Sequence, residues 1–381
     1  MHGETGTENG RMLKFEFGRN LQVLVCSLVV GALPASGMAH ELGSSLYIRD
    51  DTDGTTVISP RLRMAAQAGE STRVDASYTV DVWSSASIDI RTAATPRVYE
   101  QRDEVDLGAS QLLGDLTLGG TYRFSKENDY ESHGGSLSLS LDLADKATTI
   151  AAAFSVSFDD VGLAGDPAFS KALDTFGGRL GLTQVIDPAT LVQVNYDLSS
   201  LKGFQSSAYR RVLSSPGVIC GDAVGCLEEA VPSERLRHAL AVQLRRSLGG
   251  SFSLGAGYRY YFDDWDLDSH TVEAKASFLP GKATTISLRY RFYTQGAAEF
   301  FRPFYPDPTF AETGGYRTHD RELSPLNIHR IGLDTEQEFE VGRLVLRGSI
   351  FTGLTHYTYD NFPGLTTVQA YELTAALSAE L

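Results

Sequence analysis

The chain has 381 residues, 42% of them apolar and 21% charged. That mixture excludes a disordered polymer, and beyond the N-terminus no stretch approaches the roughly 18 consecutive apolar residues of a helical membrane span. Lys and Arg number 33 against 48 Asp and Glu, a formal charge of −15, and such an acidic chain is a poor partner for nucleic acid, whose phosphates need a basic face.

Residues 1–39 read as a secretory signal peptide. Arg11, Lys14 and Arg19 precede the apolar run Leu21 to Leu33, and Gly37 and Ala39 are small residues at the positions a signal peptidase reads. Cleavage is expected after Ala39, and Met12 offers an alternative start to Met1. Export to an oxidising compartment makes Cys220 and Cys226 an expected disulfide closing a small loop. Zinc would need further Cys or His nearby, which the sequence between them lacks.

From residue 40 to 381 one pattern repeats: about ten residues alternating apolar and polar, then a turn, which is the signature of a transmembrane β-barrel. Leu116, Leu118, Tyr122 and Phe124 alternate with Thr117, Thr121, Arg123 and Ser125, and Leu137, Leu139, Leu141 and Leu143 with serines and Asp142. The segments are predicted near 42–50, 56–67, 73–83, 103–111, 115–125, 136–144, 148–158, 175–185, 190–199, 234–246, 251–262, 270–278, 283–293, 326–338, 343–357 and 367–381. The expected fold is therefore all-β, an antiparallel barrel of about sixteen strands. Short and long connections are predicted to alternate strictly, with the short ones and both termini facing the periplasm. A β-sandwich or solenoid would bury its apolar face instead; long strands and a heavily charged polar face argue against it. The last strand ends on Leu381 rather than on an aromatic, a departure from the usual signal read by the barrel-assembly machinery.

Several phrases add a resemblance: Ile58-Ser-Pro60, Ser84-Ser-Ala-Ser87, Tyr122-Arg-Phe-Ser-Lys-Glu-Asn-Asp-Tyr130, Leu201-Lys-Gly-Phe-Gln-Ser-Ser-Ala-Tyr-Arg-Arg-Val212, Asp263-Asp-Trp-Asp-Leu-Asp-Ser-His-Thr271, Arg289-Tyr-Arg-Phe-Tyr-Thr-Gln295 and Arg321-Glu-Leu-Ser324. Together they resemble the bacterial outer-membrane proteins grouped as the domain-of-unknown-function 3570 family, across nearly the whole exported segment. The resemblance implies a barrel and brings no established activity. It also implies an association with a small lipoprotein, a thioredoxin-like protein and a periplasmic flavin transferase.

The polar strand faces supply the candidate site. Arg61, Arg63, Arg73, Asp81, Arg123, Arg179, Arg235, Arg237, Arg259, Glu273, Arg289 and Arg291 are expected to line the lumen, where rings of charge set ion preference in an open bore and pair across a sealed one. Arg63, Arg123, Arg259, Arg289 and Arg291 are expected at the inner constriction. The aromatic and proline-rich segment Glu299 to Phe310 is a candidate inward loop, the alternative being an outward surface loop.

Asp81-Val-Trp-Ser-Ser-Ala-Ser87 looks like the sequence that flavin transferases modify, with Ser87 as an FMN acceptor. Ser85 stands where the motif has Gly, and Ser87 leaves a strand heading away from the periplasm. No other cofactor is expected. Asp51-Thr-Asp-Gly54 lacks the later ligands of a calcium loop and reads as a hairpin turn. The acidic run Asp263 to Asp268 reads as a solvated loop or a surface cation site contacting lipopolysaccharide. His133, His270, His319, His329 and His356 lie near predicted outer ends, but no Gly-x-Ser-x-Gly elbow marks a nucleophile, so an enzyme is not expected. The sequence thus predicts a channel for small solutes or ions among outer-membrane lipids, or else a non-conducting scaffold for a periplasmic flavin or haem protein.

Overall fold

A computed structural model describes residues 40–85, 98–216, 226–306 and 314–381; the signal segment, Ser87 and Cys220 lie outside the described residues. A strand greasy on one face and polar on the other meets all its backbone hydrogen bonds in lipid only if the sheet closes on itself. The strands are β1 (His40–Asp51), β2 (Thr55–Ala68), β3 (Thr72–Ser85), β4 (Val98–Leu113), β5 (Leu116–Lys126), β6 (Tyr130–Leu143), β7 (Thr148–Gly162), β8 (Ser170–Asp187), β9 (Thr190–Gly203), β10 (Arg211–Leu213), β11 (Cys226–Glu228), β12 (Glu234–Ser247), β13 (Phe252–Asp263), β14 (Asp268–Phe278), β15 (Thr284–Gln295), β16 (Leu326–Val341), β17 (Leu344–Phe362) and β18 (Leu365–Glu380). Sixteen of them form a closed antiparallel barrel. β12 lies beside β9 because β10 and β11 form a separate hairpin within the connection between them, and β1 pairs with β18 from Glu41 opposite Glu380 to Asp51 opposite Ala370. Every segment expected from the alternation is a barrel strand; the small hairpin β10–β11 was not legible.

The strict alternation of short and long connections does not hold. The outer connections 52–54, 127–129 and 363–364 are as tight as the periplasmic ones, because the strands run further outward than their apolar pattern. β6 begins at Tyr130, where Tyr-Glu-Ser-His-Gly-Gly alternates without an apolar row. The turn after β1 is the expected hairpin: Gly54 has φ 83°, which a residue without Cβ adopts freely. Asp51 Oδ1 accepts from the backbone N–H of Asp53 and Thr55.

One parity of every strand points to lipid. Leu137 is 70% exposed and Leu180 60% exposed, and neighbouring rows of Leu, Phe, Val and Tyr share that face, an apolar belt that belongs in a bilayer. The buried core sits elsewhere, at the outer mouth. There Trp265, Leu267, Phe300, Phe301, Leu323, Tyr359 and Phe362 pack together and against the lumenal Tyr261, Tyr293, Ile328 and Tyr357. Deeper in the lumen the Phe351 ring lies over Gly332, where a Cβ would collide with it, and Arg330 sits 5.2 Å above the same ring.

Candidate functional site

The ladder register places all the charged candidates on the lumenal parity: Arg61 and Arg63 on β2, Arg73 and Asp81 on β3, Arg123 on β5, Arg179 on β8, Arg235 and Arg237 on β12, Arg259 on β13, Glu273 on β14, and Arg289 and Arg291 on β15. It does not bring them together as one ring. They divide into two walls of different electrostatic character.

On the quarter from β2 to β5 most cations are matched by carboxylates; Arg63 is the exception, with no carboxylate within 4.0 Å among the described residues. Arg61 faces Asp106 at 3.8 Å, Arg73 reaches Glu41 at 2.7 Å, Arg123 holds Asp106 at 2.7 Å, and Arg102 pairs with Asp81. Further round, Arg179 pairs with Asp197. On the quarter from β12 to β15 the lumenal charges are Arg235, Arg237, Arg245, Arg259, Lys275, Arg289 and Arg291 against Asp263 and Glu273. Arg289 borrows Asp334 from β16, and Arg291 lies 3.6 Å from Glu273. Arg237, Arg245, Arg259 and Lys275 have no carboxylate within 4.0 Å among the described residues. Since β3 stands eight places from β13 around the barrel, the cationic quarter looks across the bore at the neutral one.

In the two long connections, residues 204–216 and 226–233 of one and 296–306 and 314–325 of the other form a cap at the outer mouth. Their described residues are latched to each other. Ala230 and Arg317 exchange backbone bonds at 3.0 and 2.7 Å, and the Tyr305 N–H donates to the Leu213 carbonyl at 2.9 Å. Thr318 Oγ1 donates to Glu229 at 2.6 Å, while Arg210 reaches both Glu229 and Asp320 at 3.1 Å. The Tyr305 hydroxyl donates to the Phe300 carbonyl at 2.7 Å and accepts from the N–H of Arg302 and Thr318. Arg321 ties the cap to the tip of β1–β2 through Asp53 at 2.9 Å. Thus the segment from Glu299 to Pro306 turns inward and its aromatics enter the core. Cys226, at the foot of this cap, is disulfide-bonded.

His319 is buried in the cap against the Phe362 ring, and neither ring nitrogen has a hydrogen-bond partner among the described residues. Burial, helped by Arg210, lowers its pKa to about 4. It is not a rim residue, because the cap covers it. Burial and Asp320 push the neighbouring Glu322 above the usual carboxylate range.

Beneath the cap lies a cavity of about 650 Å³, lined by Arg49, Arg237, Arg259 and Arg291 with Tyr261, Tyr293 and Tyr357, and roofed by Glu229, Asp320 and Leu323. A second space of about 570 Å³ follows towards the end of the barrel that carries the β1 and β18 termini, lined by Arg245, Glu273, Lys275, Arg289 and Arg330. Arg291 lines both. Arg49, Arg330 and the three tyrosines were missed by sequence reasoning, although Arg330 alternates with Ile331 and Leu333 and was readable. The cap contacts carry no local signal.

The acidic run Asp263 to Asp268 is solvated only in part: Asp264 and Asp266 are exposed, while its first member is not. Asp263 is buried on Arg235 and accepts from the N–H of Trp265 and Leu267, which are themselves buried. A local acid count cannot reveal that Asp263, Trp265 and Leu267 are buried while Asp264 and Asp266 between them are exposed. The other outer-end histidines face lipid. His133, His238, His270 and His329 each have Nδ1 2.8 Å from a cross-strand tyrosine hydroxyl, of Tyr122, Tyr196, Tyr258 and Tyr290 respectively. Glu100, Glu127 and Asp129 converge at the outer tips of β4 to β6, their carboxylate oxygens all within 4.8 Å of one another.

No curated protein sequence matches the chain. Among solved structures it is similar in fold to a bacterial polysaccharide outer membrane secretin at 7% identity and TM-score 0.49, covering 90% of this chain and 97% of that one. It is similar to the CymD monoaromatic hydrocarbon channel at 11% identity and TM-score 0.42, covering 90% and 88%. A third likeness is to CdiB from Acinetobacter baumannii at 9% identity and TM-score 0.47, covering 88% and 60%. The sequence profile of a family described as protein of unknown function, DUF3570, matches residues 88–347, and the chain belongs to that family.

Proposed function

We propose that the protein is a channel of the bacterial outer membrane that passes small solutes and prefers anions. The observation that carries this reading is the cationic quarter from β12 to β15, where Arg237, Arg245, Arg259 and Lys275 lack carboxylate partners among the described residues and face a wall on which Arg63 alone among the arginines is unpaired. In a water-filled bore fixed charges set which ion is concentrated, and uncompensated guanidinium and ammonium groups concentrate anions. A sixteen-stranded barrel is wide enough to keep such a bore unless its lumen is filled. Among the described residues the filling is at the mouth, with space continuing below it along the same cationic wall. The apolar outer belt supports placement among membrane lipids.

The test is planar-bilayer recording of the folded barrel under a potassium chloride gradient. Discrete conductance steps with a reversal potential on the chloride side are expected. Replacing Arg245 and Lys275 together by Gln moves that potential towards zero. Cation preference, or a folded barrel that never conducts, overturns the reading.

A further inference from the structure

We infer that the cavity beneath the cap is a binding site for an organic anion with a flat apolar body, an aromatic carboxylate being the simplest member of the class. This rests on the channel reading only in supplying a route to the site. The volume of about 650 Å³ is within the range of small-molecule sites, roughly 300–1,000 Å³. Its lining joins two chemistries that one ligand can use together.

The first is unspent positive charge. Arg235 is neutralised by Asp263, Arg321 by Asp53, and Arg49 faces Asp51 at 3.4 Å. Arg237 and Arg259 have no such partner among the described residues, and both line the cavity. Guanidinium groups that line a cavity without an acid opposite them concentrate anions there. A carboxylate presents two acceptor oxygens in the plane that a guanidinium fork matches.

The second chemistry is a repeated pairing of guanidinium and tyrosine. Arg259 lies 5.7 Å from the Tyr261 ring, Arg291 5.9 Å from Tyr293, and Arg49 5.7 Å from Tyr357. The first two pairs repeat Arg-x-Tyr along the lumenal face of β13 and β15, with Ile328 and Val368 continuing the apolar surface. An inorganic anion gains nothing from the apolar wall, and a neutral hydrocarbon leaves the guanidinium groups without acceptors. Only a ligand with both parts uses the whole Arg–Tyr wall; the lining carboxylates Glu229 and Asp320, held by Arg210, and Glu322 belong to the cap on the other side.

The probe is benzoate, titrated by calorimetry into the detergent-folded full barrel at constant ionic strength, with benzyl alcohol and inorganic phosphate as comparators. Saturable benzoate binding is expected, at least tenfold tighter than either comparator. The Arg259→Gln substitution breaks no ion pair and should weaken benzoate binding at least tenfold while retaining the heat-modifiable gel shift of a folded barrel. Arg237→Gln should act in the same direction. Absence of saturable binding, phosphate binding as tightly as benzoate, or benzoate binding unchanged in folded Arg259→Gln would each overturn the site. Chloride-selective steps without benzoate binding sink this inference and leave the channel standing. Benzoate binding by a barrel that never conducts sinks the channel and leaves the site.

Discussion

Arg235 and Asp263 meet beneath an indole ring. The guanidinium donates to Asp263 Oδ2 from Nε at 2.9 Å and from Nη2 at 2.5 Å, and its Cζ lies 4.0 Å from the Trp265 ring centroid. Asp263 Oδ1 meanwhile accepts from the N–H of Trp265 and Leu267, so one carboxylate anchors both the cation and the β13–β14 turn.

Replacing Asp263 by Asn strands a buried cation and weakens that turn. Removing one partner of a buried pair costs about 3–5 kcal/mol. The expected outcome is a lower midpoint for loss of the heat-modifiable form, and a larger loss than from Asp197→Asn, whose partner Arg179 is 66% exposed. Equal losses in the two variants would refute the assignment of Asp263 as an anchor.

The cap should open when its central hydroxyl is removed. Tyr305→Phe leaves the Phe300 carbonyl and the N–H groups of Arg302 and Thr318 without their shared partner, a cost of about 1–3 kcal/mol. Single-channel records of this variant should show longer dwell in a high-conductance level at unchanged ion preference, because the cationic wall below is untouched. Records identical to those of the parent would show that the cap does not limit flow.

Acid should loosen the same element. His319 has a folded pKa lowered to about 4, against about 6.5 for an unperturbed histidine. A depressed histidine pKa means that the unlatched state binds the proton first, so the cap is at full stability above pH 6.5 and loses it as the pH falls towards 4. The loss reaches about 3 kcal/mol at the lower end of that window. Arg210 disfavours the charged ring and Asp320 favours it. Protease cleavage within the cap should rise between pH 6.5 and 4.5, and His319→Phe should flatten that rise.

The lipid-facing Tyr–His pairs make a separate prediction. Each of Tyr122, Tyr196, Tyr258 and Tyr290 closes a polar contact on a histidine at the outer end of the apolar belt. Conversion of all four to Phe should lower barrel stability in lipid vesicles by about 1 kcal/mol per pair. Tyr371→Phe, on the same outward parity of β18, serves as the neutral control.

The barrel was legible because its signal is local. A period of two in Leu137 to Leu143 or Ile286 to Phe292 needs no knowledge of partners. The same period assigned the lumenal arginines to their face. It failed at the strand tips, where residues such as Tyr130 to Gly135 extend above the apolar belt and lose the greasy half of the alternation. The cap was beyond reach for a different reason: Glu229 and Thr318 are 89 residues apart. No property of either segment alone says that they meet. The aromatic run from Glu299 suggested an inward loop, but not that Tyr305 would hold three backbone groups at its centre.

The seam between β1 and β18 joins residues such as Glu41 and Glu380. Every other ladder of the barrel links strands that are neighbours along the chain, apart from the interposed β10–β11 hairpin. The cylinder is therefore a zip fastener whose final tooth is the most distant one: fifteen ladders can form while two raw edges stay open, and neither edge has another partner among the described residues. Loss of β18 would expose β1 and β17 along their full lengths, so a truncation at this end does not trim the wall but turns a tube back into an adhesive ribbon.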